Sequence, residues 1–263
     1  MSTRQLEGKV AIVTGAGRGI GRGIAQRFAL EGAKVIVASL GEDECNTAVH
    51  EIRAAGGDAT AKATNVGIKD DVVSMVGFAV ETYGQLDVLV NTAQSFGTRQ
   101  NPTGGPLPTP VHDFTDEEVE WTFATGLYGS LWAMQAAFPH LRGRDGRVIN
   151  FGSYYGKTGQ EGTLAYNVTK EAIRALTRTA AREWAKDGIT VNVLNPAAKT
   201  DAAAHVEKNN PEAFAQALAV IPMGRLGDPE GDIAPVAVFL ASPGGGYITG
   251  QTIEVDGGML IHA

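Results

Sequence analysis

The sequence has a single cysteine, Cys45, in 263 residues, which excludes an internal disulfide framework and any metal site built from several cysteines. It also has no uncharged apolar run approaching the roughly 18 residues that a membrane-spanning helix needs. Its first nine residues are polar and contain no apolar core of a signal peptide. These absences predict a cytoplasmic protein with no leader segment, no membrane association and no bound metal.

Positive charge is also scarce. The chain has 22 Lys and Arg against 29 Asp and Glu, which gives a formal net charge of −7, and no basic block stands out. Such a surface offers nucleic acid or an anionic membrane little to bind. We therefore expect the partner to be a small molecule rather than a polyanion.

Short β-branched runs alternate with segments of helical periodicity. The strand candidates are residues 10–13, 35–38, 88–90, 148–151, 190–194 and 252–255. Apolar residues between them recur at helical spacing, as Ile20, Ile24 and Phe28 do. This alternation is typical of βαβ units, whose right-handed crossovers build a parallel sheet covered on both faces. The sequence predicts α/β architecture, with one Rossmann-like domain over residues 1–263 containing a doubly wound parallel sheet.

Two stretches depart from this alternation. Residues 94–113 are rich in proline and glycine, and residues 197–222 are rich in alanine. Both follow strand candidates, so we expect them at the carboxyl edge of the sheet, where open sheets bind ligands. The side chains that suggest a largely apolar pocket there are Phe96, Leu107, Tyr154, Tyr155, Met223 and the alanine-rich run around His205.

A glycine-rich turn follows the first strand candidate. It reads Thr14-Gly15-Ala16-Gly17-Arg18-Gly19-Ile20-Gly21 and continues into a helix. Glycine lets the backbone approach a pyrophosphate, and a helix N-terminus supplies unpaired N–H groups and partial positive charge. However, Ile20 stands where the G-x-G-x-x-G pattern, read from Gly15, needs its third glycine. Taken alone, the turn fits either a dinucleotide site or tight packing.

The T-G-x-x-x-G-x-G spacing resembles the short-chain dehydrogenase/reductase family, and further motifs follow in that family's order along nearly the whole chain. They are Asn91-Thr92-Ala93-Gln94, Ser153, Tyr166-Asn167-Val168-Thr169-Lys170, Asn195-Pro196, Ile248-Thr249-Gly250-Gln251 and Val255-Asp256-Gly257-Gly258. The resemblance implies an NAD(P)-dependent oxidoreductase that interconverts an alcohol with a ketone or aldehyde.

Tyr166 and Lys170 are four residues apart, which places them one turn apart on one face of a helix. A phenol with a pKa near ~10 is a poor base at neutral pH. A cation about 4 Å away contributes at most ~4 kcal/mol at an effective dielectric of 20, or roughly three pKa units. The resemblance implies that Tyr166 is the acid/base, that Lys170 lowers its pKa and that Ser153 holds the substrate oxygen.

Two positions depart from the family's pattern. Gly126 stands where the family usually carries an asparagine that positions a relay water, and Gln94 stands where it usually carries glycine. These departures leave a second interpretation open, a regulatory protein that binds NADP(H) with weak or lost catalysis. A purely structural oligomer is a third, but no repeat or coiled-coil pattern supports it.

The resemblance places cofactor contacts at Gly15, Arg18, Gly19, Ile20, Ser39, Asn65, Val66, Asn91, Ala93, Tyr166, Lys170 and Thr200. Ser39 occupies the point after the second strand where a carboxylate would grip the ribose of NAD. Arg18 resembles the family's ligand for the 2′-phosphate, although three acidic residues, Glu42, Asp43 and Glu44, follow closely. On this basis the sequence favours NADP(H) over NAD(H).

Helices predicted over residues 115–141 and 163–186 carry more apolar surface than one sheet face needs, as Trp121, Trp132 and Trp184 illustrate. In the family these helices form the subunit interface, so we expect a closed homo-oligomer, a homotetramer. We expect the substrate to be a largely apolar cyclic or aromatic alcohol or ketone.

Overall fold

The structure is a computed structural model that describes residues 4–261, apart from the side chains of Asp201, Ala202, His205 and Ala213. The strands within these residues are β1 (Val10–Thr14), β2 (Lys34–Ser39), β3 (Asp58–Ala63), β4 (Val88–Asn91), β5 (Phe96–Gly97), β6 (Pro102–Thr103), β7 (Arg147–Phe151), β8 (Thr190–Pro196) and β9 (Thr252–Val255). The α-helices are α1 (Gly19–Leu30), α2 (Glu42–Ala54), α3 (Lys69–Tyr83), α4 (Asp116–Phe123), α5 (Gly129–Leu141), α6 (Tyr154–Thr158), α7 (Leu164–Trp184), α8 (Asp201–Asn209), α9 (Pro211–Ala219) and α10 (Ala234–Ala241).

Seven of the strands form one parallel sheet in the order β3-β2-β1-β4-β7-β8-β9, and β5 and β6 pair as a separate antiparallel hairpin. The chain runs outward from β1 to β3, returns to the centre at β4 and then runs outward on the other side. This is the predicted doubly wound, Rossmann-like sheet. Its switch point lies between β1 and β4, where such sheets bind ligands.

All six strand candidates are confirmed as parts of sheet strands. Among the seven strands of the parallel sheet, β3 is the one without a candidate run. Its sequence, DATAKA, has only Ala59 buried because the strand lies at the edge of the sheet. An edge strand with one buried side chain gives no continuous apolar run.

Apolar side chains fill both faces of the sheet. One cluster joins the sheet to α1, α2 and α10 and includes Phe28, Ile52 and Val238. The other joins it to α3, α5 and α7 and includes Met75 and Met134. Fully burying one such side chain contributes roughly 1.5–3 kcal/mol. The rigid core therefore holds the carboxyl edge, and the turns that follow β1, β4 and β7, in fixed positions.

The helix predicted over residues 115–141 is present but interrupted. Thr115 begins it with a capping box to Glu118, and a π-helical turn over Ala124–Tyr128 separates α4 from α5. A π turn inserts a residue into the helical hydrogen-bond pattern and often marks a functional site. The helix predicted over residues 163–186 corresponds to α7, with Thr163 at its N-cap position.

The two irregular stretches follow β4 and β8 at the carboxyl edge, as expected. Residues 94–113 contain the β5–β6 hairpin, whereas residues 197–222 contain α8 and α9 rather than a loop alone. No helix within residues 4–261 is long and apolar enough to cross a membrane. Within the same range, no group of three or more His, Cys, Asp or Glu side chains is placed to hold a metal ion. A single domain over residues 1–263 remains a prediction.

Candidate active site

The glycine turn after β1 leads directly into the N-terminus of α1. Gly15 and Gly19 adopt positive φ angles of 65° and 54°, a region that residues with a side chain rarely enter. No side chain caps α1, and a Cβ at Gly19 would meet no atom within 4 Å. The N-terminal N–H groups of α1 are thus left without a side-chain cap, and this arrangement fits the diphosphate of a dinucleotide.

The turn after β4 forms the wall beside this cradle. The Thr14 hydroxyl accepts hydrogen bonds from the N–H groups of Thr92 at 3.1 Å and Ala93 at 3.2 Å. A Cβ on Gly15 would lie 3.0 Å from the Ala93 Cα, so Ala93 lies against the cradle. The Asn91 side chain instead donates a 2.9 Å hydrogen bond to Asn150, which leaves its backbone as the part nearer the site.

The side chains of Ser39 and Arg18, on which the cofactor preference depends, have different neighbours. A Cβ on Gly17 would lie 3.1 Å from both the Ser39 Oγ and the Glu44 Oε2. The Arg18 guanidinium reaches the loop before α4, where a Cβ on Gly104 would lie 3.5 Å from Nη2. Glu44 is thus the one of the three acidic residues that joins Ser39, which sequence order alone does not reveal.

Asn65, Val66 and Thr200 each have structural contacts in addition to any cofactor role. The Asn65 side-chain oxygen accepts the Gly67 N–H at 3.0 Å, and Val66 packs against Gly129. The Thr200 hydroxyl accepts the Ala203 N–H at 3.3 Å and caps α8. These three residues follow β3 and β8, on the two sides of the switch point.

Ser153, Tyr166 and Lys170 come together after β7 and on the first turns of α7. Ser153 is the N-cap of α6, and its Oγ accepts the Tyr155 N–H at 3.2 Å. Lys170 lies one helical turn after Tyr166, with its Nζ 5.4 Å from the centre of the phenol ring. The same Nζ donates a 3.0 Å hydrogen bond to the backbone oxygen of Phe151.

Burial shifts the pKa values of both ionisable groups towards their neutral forms. Lys170 is 4% exposed, and burial lowers its pKa from 10.5 to about 8. Burial raises the pKa of the Tyr166 phenol, the neighbouring Tyr155 adds to the rise, and a hydrogen bond from Ser153 opposes it. In the protein alone, the pKa of the Tyr166 phenol therefore lies above its ordinary value.

A narrow apolar cleft opens beside Tyr166. The Phe96 ring from the β5–β6 hairpin lies 5.2 Å from the Tyr166 ring, and the Tyr155 ring meets it edge-on at 6.3 Å. The cleft is lined by Phe96, Gly97, Pro106, Leu107, Phe114, Glu118, Thr122, Thr163, Ala165 and Tyr166. Of the pocket residues named from the sequence, Phe96 and Leu107 line this cleft, whereas Tyr154, Tyr155 and Met223 do not, and the side chain of His205 lies outside those described.

A family model described as enoyl-(acyl carrier protein) reductase matches residues 15–260. The chain belongs to the short-chain dehydrogenase/reductase family. It is similar to a 12alpha-hydroxysteroid dehydrogenase from Clostridium sp., with 38% identity over 260 residues, 96% of this chain and 97% of the relative. It is also similar to a 3-oxoacyl-(acyl-carrier-protein) reductase from Staphylococcus aureus, with 41% identity over 257 residues, 95% of this chain and 98% of the relative.

Solved structures agree with this assignment. A dehydrogenase/reductase from Sinorhizobium meliloti superposes with a TM-score of 0.86 at 32% identity, over 98% of this chain and 97% of that chain. As a member of the short-chain dehydrogenase/reductase family, the protein is an NAD(P)-dependent oxidoreductase that acts on CH–OH groups.

One buried polar residue beside the site was not predicted as a site residue. Asn195, at the end of β8, is 1% exposed, and neither atom of its side-chain amide has a hydrogen-bond partner among the described residues. It packs against Gly152, immediately before Ser153. The Asn195-Pro196 motif marked its position in this short-chain dehydrogenase/reductase, but only the structure reveals the unpaired amide.

Proposed function

We propose that the protein interconverts an apolar cyclic or aromatic secondary alcohol and its ketone, with Tyr166 as acid/base, Lys170 lowering its pKa and Ser153 holding the substrate oxygen. The observation that carries this proposal is that Ser153 and Lys170 both lie beside Tyr166, which in turn lines an apolar cleft. A bound nicotinamide supplies or accepts the hydride.

The chain's own residues handle the proton. In alcohol oxidation the Tyr166 phenolate takes the hydroxyl proton, and in ketone reduction the phenol returns it to the oxygen. The Ser153 hydroxyl, held at the start of α6, donates to the substrate oxygen where negative charge develops. The Lys170 ammonium, 5.4 Å from the ring centre, stabilises the phenolate, and added positive charge in the loaded site strengthens this effect.

For the cofactor we propose NADP(H) over NAD(H), held by the residues predicted from the sequence. The exposed Arg18 guanidinium supplies positive charge beside the glycine turn, and the Ser39 hydroxyl can donate to a phosphate. Glu44 acts against this preference because its carboxylate lies beside Ser39. The preference for NADP(H) therefore depends on attraction of the phosphate by Arg18 exceeding its repulsion by Glu44.

The lining of the cleft supports an apolar substrate. Aromatic and aliphatic side chains surround the Tyr166 ring, and the charged residue at the cleft, Glu118, disfavours an anionic substrate. The hydroxysteroid dehydrogenase relative is named for a cyclic alcohol and the acyl-carrier-protein reductase relative for a thioester. The aromatic rings of Phe96 and Tyr155 beside Tyr166 favour the cyclic class.

We also propose a homotetramer, assembled through α4, α5 and α7. Tyr128, in the π turn, stacks on Trp132 at 5.7 Å and remains 46% exposed, which leaves an aromatic pair for a second copy to cover. The expectation of a cytoplasmic protein rests on the single cysteine and stays a prediction.

The deciding experiment is a scan of alcohols and ketones with both cofactors. Purified protein is given NADPH or NADH with polycyclic ketones, aromatic ketones and a 3-oxoacyl thioester, and the oxidised cofactors with the matching alcohols. We expect turnover of cyclic substrates, with the highest kcat/KM for NADPH. Turnover of the thioester alone would reject the substrate class. Tight cofactor binding without turnover of any substrate would favour the regulatory interpretation instead.

A further inference from the structure

Gln94 and Gly126, the two positions that depart from the family's pattern, are in contact. Gly126 lies in the π turn between α4 and α5, and a Cβ placed on it would lie 2.7 Å from both terminal atoms of the Gln94 amide. The methyl group of Thr169, beside Lys170 on α7, is closer still. Because real Cβ atoms do not approach so closely, the Gln94 amide fills the space that a side chain at position 126 would need.

One end of the Gln94 amide is anchored. Its Nε2 donates a 3.1 Å hydrogen bond to the backbone oxygen of Thr122 in α4. A π turn shifts the backbone hydrogen bonds of a helix, so carbonyls next to it become open to side chains. This bond fixes the direction of the amide and leaves its oxygen pointing away from Thr122.

The other end has no partner within the described residues. The Gln94 Oε1 is buried and accepts no hydrogen bond there, and an unpaired buried acceptor costs about 1–3 kcal/mol. The nearby Gly126 carbonyl is not free in the same way, since it accepts the Ser130 hydroxyl at 2.8 Å and the Gly129 N–H. Gln94 therefore presents an open acceptor beside Gly126 and Thr169.

We propose, building on the proposed function, that Gln94 is a positioning residue whose Oε1 orders a water on the proton path of Lys170. The Lys170 ammonium has three donors, of which the one to Phe151 is the hydrogen bond present among the described residues. A water that accepts from the ammonium and donates to Gln94 Oε1 uses a second donor and satisfies the amide. In alcohol oxidation the ammonium first gives a proton through this water to solvent, and the neutral amine then takes up the proton that Tyr166 received from the substrate.

The first test replaces the Gln94 amide with an apolar side chain of similar volume. Gln94→Leu keeps a side chain of similar volume in the space beside Gly126 but has no acceptor. We expect kcat to fall at the lower end of the about 10²–10⁴-fold range of positioned proton transfer, with a shifted pH profile and an unchanged melting temperature. Gln135→Leu, on the exposed side of α5, is the matched control and should retain wild-type activity.

The second test does not depend on turnover. Tyrosinate absorbance is titrated in the cofactor-free protein, and the curve of Tyr166→Phe is subtracted to isolate Tyr166. Loss of the water should leave the ammonium less well solvated and raise the pKa of Tyr166 further in Gln94→Leu. If wild type turns over no substrate but this shift occurs, the proposed function fails while the role of Gln94 is supported.

The third test introduces an amide side chain at position 126, which contacts Gln94. Gly126→Asn should lower both kcat and the melting temperature in the native background, whereas Gly77→Asn, on α3 with no atom within 4 Å of its Cβ position, should be tolerated. In a background opened by Gln94→Gly and Thr169→Ser, adding Gly126→Asn should instead raise kcat.

Unchanged kcat, pH profile and Tyr166 titration in Gln94→Leu would overturn the proposal, as would full tolerance of Gly126→Asn beside Gln94.

Discussion

The ammonium nitrogen of Lys170 donates a 3.0 Å hydrogen bond to the backbone oxygen of Phe151, at the end of β7. This contact joins the helix that carries Tyr166 to the strand that leads to Ser153. It also holds a cation in a position that is 4% exposed, where its charged form is disfavoured. The site therefore keeps a destabilising charge at the point where the proposed chemistry needs one.

Lys170→Met should stabilise the fold while it lowers turnover. A pKa lowered from 10.5 to about 8 corresponds to roughly 3 kcal/mol of destabilisation below pH 8, and the lost bond to Phe151 costs about 1 kcal/mol. We expect a net gain of about 2 kcal/mol in the free energy of unfolding at pH 7, measured by urea denaturation.

The pH dependence of this gain gives a second check. The unfolded chain holds the lysine proton up to pH 10.5 and the folded chain only to about 8, so wild-type stability rises across that interval. The advantage of Lys170→Met should therefore shrink between these pH values, whereas the exposed Lys186→Met should be neutral throughout. A variant that is less stable than wild type at pH 7 would contradict the assignment.

Tyr166→Phe should remove the acid/base and leave the packing of the ring against Phe96 in place. We expect kcat to fall by roughly 10²–10⁴ or more, with the circular dichroism spectrum and melting temperature preserved. Tyr155→Phe is the matched control, because its ring also packs against the Tyr166 ring, and it should remain within a few-fold of wild type. Comparable activity in the two variants would reject Tyr166 as the acid/base.

The exposed apolar residues of the helical face should be covered by a second copy of the chain. Tyr128 and Val168 are each 46% exposed, in the π turn and on α7. Light scattering at micromolar concentration should give four times the chain mass of 27.5 kDa, and Tyr128→Glu with Val168→Glu should reduce it. Leu30→Glu, at the end of α1 at 42% exposure, should leave the mass unchanged. A single chain mass for wild type would rule out the tetramer.

The sequence pattern predicted which strand ends carry the site. Uninterrupted apolar runs identify the strands, and glycine turns identify segments that follow them at the carboxyl edge of the sheet. It did not predict β3, since an edge strand with only Ala59 buried has no apolar signature. The π turn at Ala124–Tyr128 was also missed, because a helical period persists through one inserted residue.

The sequence also did not predict the directions in which individual side chains point. Glu44 was one of three adjacent acids, and only the fold of α2 against the glycine turn places its carboxylate beside Ser39. Gln94 and Gly126 were noted as separate departures, and their contact depends on how β4 and the π turn pack. Contacts between residues far apart in the chain depend on packing that local patterns do not encode.

Arg18→Ala should narrow the difference in affinity between NADPH and NADH. A charged hydrogen bond to a phosphate is worth about 1.5–3 kcal/mol, so NADPH binding should weaken by roughly 10- to 100-fold while NADH binding changes little. Fluorescence titration of each cofactor measures this, and Arg27→Ala, whose guanidinium pairs with Glu31 at the end of α1, is the control. Equal affinity of the unmodified protein for both cofactors would reject the preference for NADP(H).

Glu44→Gln should act in the opposite direction, because it removes a carboxylate that lies with the Ser39 hydroxyl beside Gly17. Two like charges repel, but solvent screens an exposed carboxylate, so NADPH binding should tighten by only about three- to tenfold. NADH carries no phosphate there and should bind no better. Glu42→Gln, at the exposed start of α2, is the matched control and should change neither affinity. An equal gain in affinity for both cofactors would show that Glu44 repels the negative charge that both cofactors carry rather than the 2′-phosphate of NADPH.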